Sequence, residues 1–246
     1  GFATDLGAEK FLNIKCRIGG LKPSAAVIVA TLKALHYHGG IEDSQGGIQN
    51  LEKHVENIQR FGIPAMVAMN RFAADSDEEL KKVIHILEGK GVYTSIVDVR
   101  KRGGDGGLDA AKTLMGLCKQ ESSFNYLYPQ EVSAKEKIIT IAMEMYGAKD
   151  VIFSEDAERD ITEIENWGYK DLPVCIAKTP KSLSDNPALL GRPEDFNITV
   201  QRIFPASGAG FLVVICGNIL LMPGLPEHPL AERIDVDSGG RLIFKS

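Results

Sequence analysis

Three clusters of side chains in this 246-residue chain stand where a ligand could meet them. The first is His36-Tyr37-His38, followed by Gly39-Gly40. Two histidines one residue apart on a strand would share a face and could begin a metal site, but no third ligand accompanies them. The second is Asn70-Arg71-Phe72, which directly follows an apolar run. Side chains just past the carboxyl end of a parallel strand face the crevice where open α/β sheets hold ligands. The alternative for Phe72 is a place in the core, where aromatic rings are often found. The third is Arg100-Lys101-Arg102-Gly103-Gly104-Asp105-Gly106-Gly107. Its glycines permit tight turns that can set backbone amides around an anion, or they simply turn a strand into a helix. Two chemistries are missing from the string. There is no G-x-x-x-x-G-K-[ST] phosphate loop and no G-x-S-x-G nucleophile elbow.

The elements that would position these clusters follow from periodicity. Residues 25–30, AAVIVA, read as a strand buried on both faces. Residues 50–61 read as a helix with Leu51, Val55 and Ile58 inward, Asn50 as its cap and Gly62 at its end. Residues 64–69 make a second strand and 93–99 a third. Between them Ser76 and Glu79 form a capping box for a helix over 77–88. A helix over 108–119 places Leu108, Ala111, Leu114 and Cys118 inward. Upstream, residues 1–11 read as a glycine-punctuated loop entering a helical turn, and 13–17 as a short strand. This alternation makes the fold class α/β, a parallel sheet flanked by helices.

A smaller mixed α/β region follows. It holds helices over 134–146, with a second capping box at Ser133 and Glu136, and over 155–166, capped by Ser154. A turn-rich loop spans 179–193, strands are expected over 197–204, 211–216 and 219–222, and a terminal hairpin turns at Gly239-Gly240. Glu155, Asp156, Glu158 and Asp160 read as a solvated acidic face at a helix start. The expected division is 1–123 and 124–246.

Composition narrows the function. A net charge of −5 argues against a nucleic-acid partner. No apolar run is long enough to span a membrane, because Gly217-Asn218 interrupts the longest one. Cys16, Cys118, Cys175 and Cys216 form no C-x-x-C pair and are expected to be reduced thiols of a cytoplasmic protein. The chain opens at Gly1 in mid-motif, so it is expected to be part of something longer.

VATLKALHYHGG, residues 29–40, resembles the signature V-A-T-[VIL]-R-A-L-[KM]-x-[HN]-G-G of formate–tetrahydrofolate ligases, with Lys33 replacing Arg and His36 replacing Lys or Met. GFATDLGAEKF, IAMEMYGA, GYKDLPVCIAKT, TPKSLSDNPALLGRP and MPGLP are similar to further stretches of that family, so the likeness covers nearly the whole chain. The resemblance implies a partial P-loop NTPase-like domain. It also implies an ATP-dependent ligase that joins formate to tetrahydrofolate through formyl phosphate, using Mg²⁺ and a monovalent cation such as K⁺. Nucleotide contacts would fall to Phe2, Asn70 and Ile96. Folate contacts would fall to Phe72, stacked on the pterin, and to Arg100, which stands where the family has Trp. A guanidinium can also cover an aromatic plane. The catalytic residues and phosphate loop are expected in an N-terminal half, without which this chain would be inactive. A homo-oligomer is implied as well. The alternative is a non-catalytic ligand-binding or regulatory subunit that keeps the fold.

Overall fold

Three of the expected strands assemble as parallel neighbours. In a computed structural model, which describes residues 3–39, 45–219 and 227–244, β1 (Ala26–Ala30), β2 (Ala65–Asn70) and β3 (Tyr93–Val97) lie in that order. Ala26 pairs with Ala65 and Met66 with Tyr93. β2 is the central strand and buries Ala65 through Met69, as its unbroken apolar run requires. β1 differs from the expectation of a strand buried on both faces. It is an edge, and its Val27 and Val29 are 42% and 67% exposed.

The connections are helical. Helix α1 (Arg17–Gly19) ends a longer helical segment whose earlier turns are Ala3–Ala8 and Phe11–Cys16. This corrects the loop expected within 3–11, residues 1 and 2 lying outside those described, and the strand expected over 13–17. The buried residues of the segment are Thr4, Asp5, Glu9, Leu12, Asn13 and Cys16. They recur at helical spacing, but half of them are charged or amide side chains, so no apolar stripe marks the helix. Helix α2 (Leu32–Gly39) follows β1, which places His36 and His38 on a helix rather than a strand.

Helix α3 (Gln45–Arg60) begins earlier than expected. Asn50 is therefore a buried interior residue and not its cap. Helix α4 (Asp77–Gly89) starts where Ser76 accepts from the Glu79 amide, and it buries Leu80, Val83 and Leu87. Glu79 does not complete the expected box, because its carboxylate is spent on His36 at 2.5 Å.

After β3 the chain makes α5 (Val99–Arg102), a 3₁₀ turn (Gly103–Gly107) and α6 (Leu108–Leu117). The expected inward face of α6 is rotated. Leu117 is buried, whereas Leu108 is 51% exposed and Cys118 is exposed. The less exposed positions of α6 are Ala110, Thr113, Leu114 and Leu117, a helical stripe that includes a threonine and so does not stand out by apolarity.

The second region contains α7 (Ala134–Ile141), continued by a π turn (Ala142–Tyr146), and α8 (Glu155–Asn166). The Ser133–Glu136 capping box is complete, and Ser154 caps α8 through the Ala157 amide. Its mixed sheet has the order β4 (Asp150–Phe153), β6 (Asn197–Ala206), β7 (Phe211–Cys216), β5 (Val174–Ala177). β6 and β7 are antiparallel, and the outer strands pair in parallel. Ile219 lies outside any strand, and residues 220–222 of that expected strand are not among those described. A hairpin of β8 (Ile234–Val236) and β9 (Leu242–Phe244) ends the chain as expected. All four cysteines are free thiols.

One hydrophobic cluster crosses between the regions. Leu12, Cys16, Ile58 and Phe61 share it with Ile138, Met145, Ile176 and Leu212. A second cluster, including Leu35, Leu51, Val67 and Leu87, fills the space between the first sheet, α2, α3 and α4.

Candidate functional site

The carboxyl ends of β2 and β3 place the expected site residues. Asn70 is the last residue of β2 and pairs with Val97, while Ile96 pairs with Met69 one step earlier. The Arg71 amide then donates to the Val97 carbonyl at 2.9 Å, so the chain leaves the sheet without losing that bond. The next turn is closed twice. The Phe72 amide donates to Asp75 Oδ2 at 2.8 Å, and the Asp75 amide donates back to the Phe72 carbonyl at 3.1 Å. Arg71 also pairs with Asp77 at 2.7 Å, which ties the turn to the first residue of α4. These bonds hold the Phe72 ring outward, 41% exposed, where a core ring would be hidden.

The facing wall comes from the glycine-rich segment. Asp98 and Gly106 close it: the Asp98 amide donates to the Gly106 carbonyl at 3.0 Å. A Cβ on Gly106 would stand 2.3 Å from the Asp98 carbonyl oxygen, so only glycine admits this approach. Between these two points Arg100, Lys101 and Arg102 project into solvent, and none of them has an ion-pair partner among the described residues. Arg71, Phe72, Ala73, Asp98, Arg100 and Lys101 line one cleft of about 320 Å³. The structure thus brings Phe72 and Arg100 to a single cleft. Asn70 and Ile96 do not line it, and Ile96 packs partly buried against the second core cluster. Phe2 lies outside the described residues.

The cleft offers one aromatic ring and the cations of Arg71, Arg100 and Lys101, with the Asp98 carboxylate also in its lining. Such a site suits a flat heterocycle carrying a negative tail: the ring takes the π face and the guanidinium side takes the charge. His36 and His38 make no such site together. His36 bonds to Glu79 and His38 to the Gly191 amide, and among the described residues no group of three His, Cys, Asp or Glu side chains converges on a metal position.

A second polar system, which the sequence reading missed, joins the N-terminal helical segment to the second region. Lys178 is fully buried and pairs with Asp5 at 2.8 Å, while its ammonium also donates to the Ser182 carbonyl at 2.5 Å. It lies 4.7 Å from the centroid of the Tyr146 ring. Burial lowers the Lys178 pKa, and the Asp5 charge opposes that fall. Thr4 bonds to His54 at 2.8 Å and accepts from Asn57 at 3.2 Å. One turn on, Glu9 is fully buried and accepts from Asn13 at 2.8 Å, but its Oε2 has no partner among the described residues. Desolvation pushes the Glu9 carboxyl up to about 7. The one signal in the string was the spacing of Asp5, Glu9 and Asn13 on a helix face.

A family model described as formate–tetrahydrofolate ligase matches residues 1–243. Among the described residues no helix is long and apolar enough to cross a membrane.

Proposed function

Since the chain belongs to the formate–tetrahydrofolate ligase family, we propose that it supplies the folate-binding cleft of an ATP-dependent enzyme making 10-formyltetrahydrofolate from formate by way of formyl phosphate. The observation that carries this reading is the meeting of Phe72 and Arg100 across one cleft at the ends of parallel strands. The Phe72 ring stacks on one face of the pterin. Arg100 covers the other face by its guanidinium plane, or pairs with a folate carboxylate. Stacking orients the tetrahydrofolate amine, and the closed turn Phe72–Asp75 keeps the ring from collapsing into the core.

ATP, when bound, supplies the phosphoryl group that turns formate into a competent electrophile. The described residues of this chain do not fit the phosphates or Mg²⁺. They hold no phosphate loop and no convergent acidic cluster, so no step is assigned to them there. We assign Phe2, Asn70 and Ile96 to the base side of the nucleotide, and the phosphate loop, Mg²⁺ and catalytic cations to an N-terminal half. That half docks on the open edge of β1. There Ala3, Phe11, Val27 and Val29 line an apolar groove of about 510 Å³ on a parallel sheet that would ordinarily be covered. K⁺ dependence, a homo-oligomeric assembly and a cytoplasmic location complete the proposal.

The test is calorimetric titration of tetrahydrofolate into this chain, with and without its N-terminal counterpart, alongside an assay for formyltetrahydrofolate. Binding that weakens on Phe72→Ala and turnover in the joined halves support the proposal. A folded assembly that binds tetrahydrofolate without turnover supports the second reading, a non-catalytic binding subunit, which the Arg100 replacement of the family Trp favours.

A further inference from the structure

The loop that follows β5 is fastened at its far end by an imidazole that must be neutral. Gly191 offers both of its backbone polar groups to the first region. Its amide donates to His38 Nδ1 on α2 at 3.2 Å, and its carbonyl accepts from Asn50 Nδ2 on α3 at 2.7 Å. Its φ of +73° lies in the left-handed region that favours glycine, while a Cβ there would meet the Gly46 and His38 carbonyl oxygens at an ordinary 3.4 Å. The next residue, Arg192, grips Glu56 of α3 through two bonds of 2.7 and 2.8 Å. The near end of the same loop is held by Lys178 on Asp5.

A backbone amide can only donate. His38 Nδ1 therefore carries a lone pair, and the neutral ring holds its proton on Nε2. A second proton would set N–H against N–H, replacing an attraction with a repulsion at the same 3.2 Å contact. We propose that His38 is an acid-released latch, which holds the Gly191 backbone against α2 while its ring is neutral and frees that one contact when the ring is protonated.

Among the described residues, the charges that act on the ring are few. Asp5, from the N-terminal segment, favours the imidazolium. Burial disfavours it more strongly, so the pKa lies below the ordinary histidine value. On α3, His54 is close enough to feel the charge of His38. On α2, Tyr37 meets the ring edge-on at 5.1 Å and His36 is engaged by Glu79. The Arg192 charge is met by Glu56. The sign follows: the latch is closed at neutral pH and is lost as pH falls through the lowered pKa of His38. Arg192–Glu56 and Lys178–Asp5 keep the loop attached, so the release is local.

The experiment uses the whole chain labelled with ¹⁵N. Long-range proton–nitrogen spectra at about pH 7.5 read the tautomer of His38. Amide exchange in 190–192, corrected for the intrinsic rate, reads the latch. Protection should fall about tenfold on acidification to about pH 5, the worth of roughly one hydrogen bond. His38→Asn offers an acceptor that does not titrate and should keep its protection over the same range. A proton on Nδ1 at neutral pH overturns the proposal, and so does an equal acid loss in His38→Asn. Should that variant fail to fold by circular dichroism, the tautomer of the native chain decides alone.

Discussion

Replacing Glu9 by Gln should change how the stability of this chain depends on pH. Glu9 is fully buried in the N-terminal helical segment, its Oε1 accepts from Asn13, and its carboxyl is raised from 4.5 to about 7. Burial is the largest cause, and the nearby Lys10 charge only partly offsets it. In the unfolded chain Glu9 loses its proton near 4.5, whereas in the folded chain it keeps it until about 7. Between those values the folded state holds one proton more, so native stability falls as pH rises. At about 1.4 kcal/mol per pH unit, the total loss from this residue is on the order of 3 kcal/mol. Glutamine is neutral throughout and escapes that loss.

Urea unfolding of both proteins at intervals from about pH 4 to about pH 8 isolates the residue, because other titrating groups cancel in the difference. The Gln variant should gain on the native chain across that window and keep the gain above it. Parallel stability curves would refute the reasoning, since they would mean that Glu9 reaches water or an unseen partner in the fold.

Three further outcomes are expected. Arg100→Trp should tighten tetrahydrofolate binding and make it less sensitive to salt, because a second aromatic wall replaces a charge; titrations at low and high salt check this. Lys137→Met should lower stability by roughly 1–3 kcal/mol in urea melts, since it strips the Lys170 and Leu172 carbonyls of a buried donor at 2.6 and 3.1 Å. Burial also lowers the Lys137 pKa to about 8, so this residue should make the native protein gain stability as pH rises from about 8 towards 10.5, and the Met variant should lose that gain. Gly106→Ala should deform the wall that carries Arg100 and weaken tetrahydrofolate binding. The 2.3 Å approach to the Asp98 carbonyl cannot be relieved by a side-chain rotation, and titration with circular dichroism separates the local effect from unfolding.

How much of this was legible depends on what each element buries. β2 could be read directly because a central parallel strand is apolar along its whole length. The caps at Ser133 and Ser154 could be read because a hydroxyl bonding back to a helix amide is a local event. Phe72 and Arg100 were named from position and family likeness, and the cleft that they share was not visible in the string. The helix over 3–19 was missed because its inner face pairs Asp5 with Lys178, 173 residues away, and periodicity records apolarity rather than partnership. The same limit hid Asn50. It looked like a helix cap and turned out to be a buried donor to Gly191. The face of α6 was misplaced because its less exposed stripe includes Thr113, while the apolar Leu108 stands in solvent.

The hydrophobic cluster that includes Leu12, Ile58, Ile138 and Leu212 has a consequence for how the chain can be divided. The stretch from Lys119 to Asn125 carries no regular secondary structure and is largely exposed, so a protease should nick it first. Severing the backbone there would break one covalent link and leave the common interior and the Asp5–Lys178 pair intact. The products should migrate as one particle in native solvent and part only in denaturant. Expressed from two separate genes, the same pieces should find each other and reconstitute the whole, as the halves of a split reporter do.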